Sequence, residues 1–213
     1  MENFNTFMHG VFGSPGRLHW TDWFPFDVVC FEGYDAAKGS EYMWVDVGGG
    51  KGHHVQELLD NYPEVMGKFA VQDLPFVIDD IAKSHIDLSP RIEPIAHSFL
   101  EPQPIKGART YWLANILHNW ADPVCRTILK HLRDAMVPGY SRLIVANMVM
   151  ADENVPLRHS GLDIAMLFLH SGSQRSEVEW RHLLEGSGFK VIRIWLPPGD
   201  GDGIIEAEVP EQA

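Results

Sequence analysis

Cysteine is scarce in this chain. Only Cys30 and Cys125 are present, far apart, and no secretory leader is read at its start. Both are expected as reduced thiols in a cytoplasmic protein rather than as a disulfide. Long apolar runs are also lacking. None approaches the ~18 residues of a membrane-spanning helix, so no membrane partner is expected. Positive charge is thin: 17 Lys and Arg stand against 29 Asp and Glu, a formal net charge of -12. Bulk charge therefore argues against nucleic acid as a partner. The 11 histidines form no H-E-x-x-H, and no C-x-x-C pair exists, so no metal site is expected. Internal repeats and low-complexity tracts are absent. What remains is 213 residues, 45% hydrophobic and 22% charged, the profile of one globular domain with a full core.

Glycine is plentiful in one place. In Trp44-Val-Asp-Val-Gly-Gly-Gly-Lys-Gly-His-His54 an apolar run with Val45 and Val47 breaks into Gly48, Gly49, Gly50 and Gly52. Val55 to Asp60 then resumes at helical spacing. That is strand, glycine turn, helix, the first half of a βαβ unit. Glycines suit a tight turn that a ligand approaches closely; the plainer reading is a tight turn alone. Asp73 closes a second buried run, Phe69 to Val71, 21 residues after Gly52. That is near the ~20-residue spacing of an acid that holds a ribose hydroxyl. Asp46 is a charge inside an apolar strand, costly unless a cationic ligand or the loop amides pair with it. The glycine spacing is G-x-G-x-G rather than G-x-G-x-x-G, and no G-K-S/T follows, which speaks against a triphosphate P-loop. A nicotinamide dinucleotide is the alternative ligand. His53 and His54 read as surface or ligand-proximal.

Strands are expected over residues 41–47, 69–72, 91–96, 111–116, 143–149, 189–196 and 204–209. Helices are expected over 52–61, 74–84, 122–136, 160–170 and 176–187. Asp73 with Pro75, and Asp122 with Pro123, read as N-cap and N1 pairs. The alternation implies an α/β fold, a mostly parallel seven-stranded sheet with helices on both faces. The last strand follows a turn too short for a crossover helix and is expected antiparallel. Residues 1–31 read as an aromatic-rich helical connector. Phe4, Phe7, Met8 and Val11 have helical spacing, and Trp20 to Asp27 reads as a loop or second short helix. Residues 32–213 read as the Rossmann-like domain. Ligands in such sheets lie beyond the carboxyl ends of the strands, where Asp73, Ser98, His118 and Asn147 fall.

Four segments occur in order: Val45-Asp-Val-Gly-Gly-Gly-Lys-Gly52, Val71-Gln-Asp-Leu-Pro75, Ile116-Leu-His-Asn-Trp-Ala-Asp122 and Gln174-Arg-Ser-Glu-Val-Glu-Trp180. This set resembles the S-adenosylmethionine-dependent O-methyltransferases of plant caffeate type, especially their fungal secondary-metabolism relatives. The resemblance covers residues 1–208. It implies S-adenosylmethionine as cofactor, held by Asp46, Gly48, Gly50, Asp73, Leu74, Ser98, Phe99 and Ala114. It implies His118 as catalytic base, flanked by Asn147 and Gln174. It implies a small aromatic or polyketide substrate met by Phe4, Met8, Asn119, Trp120 and Met166. In the resembled family an N-terminal dimerisation domain precedes a segment like 1–31, which lines the acceptor pocket. No such domain is read here, so a homodimer, or a partner supplying that wall, is expected.

A phenol of pKa near 10 is a poor nucleophile at neutral pH. A neutral imidazole can take its proton, worth roughly 10²–10⁴ in rate. The plainer reading of His118 is a loop histidine packed on Trp120. The departures from the family carry weight. Asn119, Asn147 and Gln174 stand where relatives carry acids around the histidine. Ser98 stands where an acid meets the adenine, and Ala114 replaces a basic residue. Losing a carboxylate that orients a base costs orders of magnitude in hydrolase triads. Three functions therefore stand side by side: methyl transfer to a hydroxyl, a non-methylating rearrangement, cyclisation or dehydration on the same fold, and a catalytically silent cofactor-binding module.

Overall fold

Strands buried on both faces need continuous apolar runs, and the centre of this sheet supplies them. The computed structural model describes residues 19–84, 86–151, 174–199 and 201–211. The expected helices at the start of the chain and at 160–170 lie outside those residues, as do Phe4, Met8 and Met166. Strands β1 (Tyr42–Val47), β2 (Lys68–Asp73), β3 (Ile92–Ala96), β4 (Thr110–Ala114), β5 (Arg142–Asn147), β8 (Lys190–Trp195) and β9 (Gly203–Glu208) form one seven-stranded sheet. Its order is β3-β2-β1-β4-β5-β9-β8. β1 to β5 pair in parallel, and β9 runs antiparallel between β5 and β8. This is the Rossmann-like arrangement expected. A two-stranded ladder of β6 (Val149–Met150) with β7 (Arg175–Ser176) was not expected. β5 stops at Asn147, and the chain beyond it pairs elsewhere.

Helices α1 (His53–Asn61), α2 (Pro75–Lys83), α3 (Asp122–Arg133) and α4 (Glu177–Glu185) join the strands. On α3 the buried residues Cys125, Ile128, Leu129 and Leu132 follow helical spacing. They pack with Trp180, Leu183 and Leu184 of α4 on one face of the sheet. Val55, Leu58 and Leu59 of α1 cover the other face together with Phe24 and Phe26. The connector aromatics are thus better covered than their density suggests: Phe24 and Phe26 are each 2% exposed. Trp20 opens a short 3-10 turn (Trp20–Asp22), and a π-type turn (Asp27–Phe31) follows.

Two caps differ from expectation. Leu74, not Asp73, is the N-cap of α2, with Pro75 in its first turn. Ala121, not Asp122, is the N-cap of α3. In both cases the carboxylate bonds a group outside the helix's first turn instead. α3 also ends at Arg133, short of Met136.

Candidate functional site

The strand order reverses between β1 and β4, and a crevice opens above such a switch point. The glycine turn after β1 forms one side. Gly48, Gly50 and Gly52 all have positive φ, at 73°, 59° and 79°. Residues with a Cβ are disfavoured there, which explains the glycines. The amides of Gly48 and Gly49 donate to the carbonyl of Gln72, at 2.8 and 3.0 Å. The amide of Gly50 donates to Oδ2 of Asp73 at 2.9 Å, and Leu74 N donates to Oδ1 at 2.7 Å. Asp73 therefore joins the end of β2 to the turn after β1.

Asp46 lies beneath this turn, 1% exposed. Neither of its oxygens has a hydrogen-bond partner among the described residues. The loop amides that sequence reasoning offered as partners go to Gln72 and Asp73 instead. Gly49 sits directly on the carboxylate: a Cβ there would lie 2.5 Å from Cγ of Asp46. Burial, with the charge of Asp73 adding to it, pushes the Asp46 carboxyl up to about 8.

The turn after β4 forms the other side. β4 was expected to run to Ile116 but ends at Ala114, because Asn115 adopts φ 56°. Asparagine is among the few residues that tolerate this left-handed conformation. A 3-10 turn (Leu117–Asn119) then carries His118, which is 8% exposed. Asn119 Nδ2 donates to the carbonyl of Asn115 at 3.0 Å, bracing the turn from within. The two sides meet: a Cβ on Gly48 would lie 2.6 Å from Cδ1 of Ile116 and 3.5 Å from Cε1 of Phe99. Phe99 is edge-on to Trp120, with centroids 6.0 Å apart. Ser98 and Phe99 follow β3, Ala114 ends β4, and all three are half-buried; Leu74 is exposed.

Nδ1 of His118 lies 3.1 Å from Nε2 of Gln174. The residues are 56 apart in sequence, and the fold brings them together. A glutamine can serve the ring in two ways, because its amide O and N are exchanged by a flip. If its oxygen accepts from Nδ1–H, Nε2 of His118 is left basic. If its NH₂ donates to Nδ1, the ring proton sits on Nε2. A carboxylate permits only the first arrangement. Asn147 ends β5 fully buried, and neither its Oδ1 nor its Nδ2 has a partner among the described residues.

Sequence reasoning missed Arg175. It is 4% exposed, and its guanidinium donates to the carbonyls of Leu117 and Trp120, both at 3.0 Å, and to Oδ1 of Asp122 at 2.9 Å. The signal was there, since the residue lies in the Gln174-Arg-Ser motif, but its partners are 50 to 58 residues away. A separate cavity of about 570 Å³, lined by Phe31, Tyr34, Met43, Tyr62 and Met66 among others, lies at the opposite end of β1. Among the described residues no group of three His, Cys, Asp or Glu side chains suits a metal ion. Nor is any helix among them long and apolar enough to cross a membrane.

The family model of an O-methyltransferase domain matches residues 34–190. The O-methyltransferase asqD of Emericella nidulans is 38% identical over 209 residues, which cover 97% of this chain and 52% of asqD. Among solved structures, that of LepI in complex with SAM superposes with a TM-score of 0.83 at 25% identity, covering 92% of this chain and 49% of LepI. A structure described as a pericyclic reaction enzyme matches with a TM-score of 0.83 and 25% identity, over 92% of this chain and 50% of that one. The chain spans about half the length of the curated relatives it matches.

Proposed function

The chain belongs to the O-methyltransferase domain family, and from that premise we propose that it binds S-adenosylmethionine and methylates a phenolic or polyketide-like hydroxyl with His118 as base. The observation that carries this reading is the pairing of the His118 ring with Gln174 on a buried turn that abuts the glycine turn. The residues around the crevice fit the cofactor. Asp46 offers a buried carboxyl, without a hydrogen-bond partner among the described residues, to a cationic ammonium group, and Asp73 offers an acceptor to ribose hydroxyls. Gly48 lets the two turns meet and Gly50 leaves open space for a backbone-close approach, while Leu74, Ser98, Phe99 and Ala114 would flank the adenine. When bound, that cofactor supplies an electrophilic methyl group. His118 takes the hydroxyl proton of the acceptor at Nε2, which leaves the oxygen nucleophilic. Asn119 and Trp120 border the acceptor, and Asn147 and Gln174 flank the base.

The test incubates methyl-labelled cofactor with a panel of phenols. Label in product, lost in His118→Ala, supports transfer. A second reading, a rearrangement, cyclisation or dehydration without methyl transfer, is favoured by the amides at 119, 147 and 174 and by the likeness to a pericyclic reaction enzyme. Turnover without label would select it, and cofactor binding with no turnover would select a silent module. We further propose that residues 1–31 act as a connector and that a second copy or a partner completes the acceptor pocket. Half-buried Trp20 and Trp23 support this, and sedimentation over a range of concentrations tests it.

A further inference from the structure

We propose that Arg175 is a positioning residue for His118, holding the turn that carries the imidazole; this rests on the reading of His118 as the base. A buried guanidinium needs partners for its charge and its donors. Those of Arg175 are unusually concentrated. Nη1 donates to the carbonyl of Leu117, the peptide group that leads directly into His118. Nη2 donates to the carbonyl of Trp120, two residues beyond, and to the carboxylate of Asp122. One planar fork thus spans both ends of the turn, with Asp122 balancing its charge.

The arginine is itself fixed from behind. Its guanidinium carbon lies 5.2 Å from the ring centroid of Trp180, which is fully buried and donates to the carbonyl of Met148 at 3.1 Å. Its backbone pairs with Val149 in the β6–β7 ladder. Ser176, the next residue, caps α4 through a reciprocal bond with Glu179. Three consecutive residues therefore divide the work: Gln174 meets the ring of His118, Arg175 holds its backbone, and Ser176 anchors both to α4. The place of the ring depends on the backbone of its turn, and the fork of Arg175 holds that backbone. A lysine carries the charge but only as a point, without the planar fork.

The test compares Arg175→Met and Arg175→Lys with the parent chain and with His118→Ala. The readouts are hydrogen exchange over residues 115–120, S-adenosylhomocysteine affinity, and kcat and KM for a turned-over hydroxyl substrate. Expected in Arg175→Met is exchange faster by on the order of 10-fold in the turn alone, with the exchange of β1 and β5 and the ligand affinity unchanged. Misplacement of a reacting group by about 1 Å costs roughly 100-fold, so kcat is expected to fall on that order while KM holds. Arg175→Lys is expected to recover only part of the loss. Unchanged exchange in the turn overturns the proposal, and so does exchange that rises equally throughout the sheet. If the turn loosens but no turnover depends on His118, the base assignment falls while the clamp on the turn stands.

Discussion

The amide of Gly50 donates to Oδ2 of Asp73 at 2.9 Å, so the glycine turn and the end of β2 hold each other across 23 residues of sequence. A ligand hydroxyl that reaches Asp73 must share or displace this bond. Hydrogen bonds to charged groups contribute about 1.5–3 kcal/mol. Asp73→Ala is therefore expected to weaken S-adenosylhomocysteine binding by roughly 10- to 100-fold, read by calorimetric titration. Binding equal to that of the parent would remove Asp73 from the site.

Asp46 makes stability depend on pH. Its carboxyl is pushed up to about 8 in the folded chain, against an ordinary value near 4. Between these values the native state keeps a proton that the unfolded chain has lost. Stability therefore falls as pH rises from about 4 to about 8 and levels off above that, with a slope on the order of 1 kcal/mol per pH unit from this group. Asp46→Asn is expected to flatten the slope in denaturant titrations across that range. A cationic ligand on Asp46 favours the ionised form, so binding near pH 7 is expected to release a proton. Calorimetry in buffers of different ionisation enthalpy reads that release.

Gly49 and Asp46 are in steric contact. A Cβ at position 49 would lie 2.5 Å from Cγ and 2.6 Å from Oδ2 of Asp46. Gly49→Ala is expected to lower stability by about 1–3 kcal/mol, the cost of overpacking a buried site. Asp46→Ala in the same chain should restore most of it. A double-mutant cycle by thermal unfolding measures the coupling, and simple additivity would contradict a direct clash.

Gln174 leaves the tautomer of His118 open, and a carboxylate would settle it. Gln174→Glu is expected to hold the proton on Nδ1 and to stabilise the imidazolium. Methyl transfer should then rise by about 10-fold or more, given the ~10⁴-fold loss when an orienting carboxylate in a hydrolase triad becomes an amide. Steady-state rates with labelled cofactor check this. A chain that gains nothing from Gln174→Glu, yet turns over substrate without label, fits the non-methylating reading.

Local sequence determined the parts of this molecule that depend on near neighbours. The apolar runs around Val45, Phe69 and Tyr111 are strands because such runs suit burial on both faces. The glycines at 48, 50 and 52 are there because positive φ is cheap only for glycine. Asp46 stood out as a charge inside an apolar strand, and Asp73 as one at the end of a buried run, before any contact was known. Tertiary structure decided the rest. That Asp46 has no hydrogen-bond partner among the described residues depends on the loop amides turning to Gln72 and Asp73. β4 ends early because Asn115 turns left-handed while its amide donates to the carbonyl of Ala146, from another strand. Phe24 and Phe26 are core because α1 and β1 bring their surfaces to them. Gln174 reaches His118 and Arg175 reaches Leu117 only once the sheet, the β6–β7 ladder and α4 are assembled. Periodicity encodes which side of an element is apolar, whereas contacts over more than 50 residues depend on the path of the whole chain.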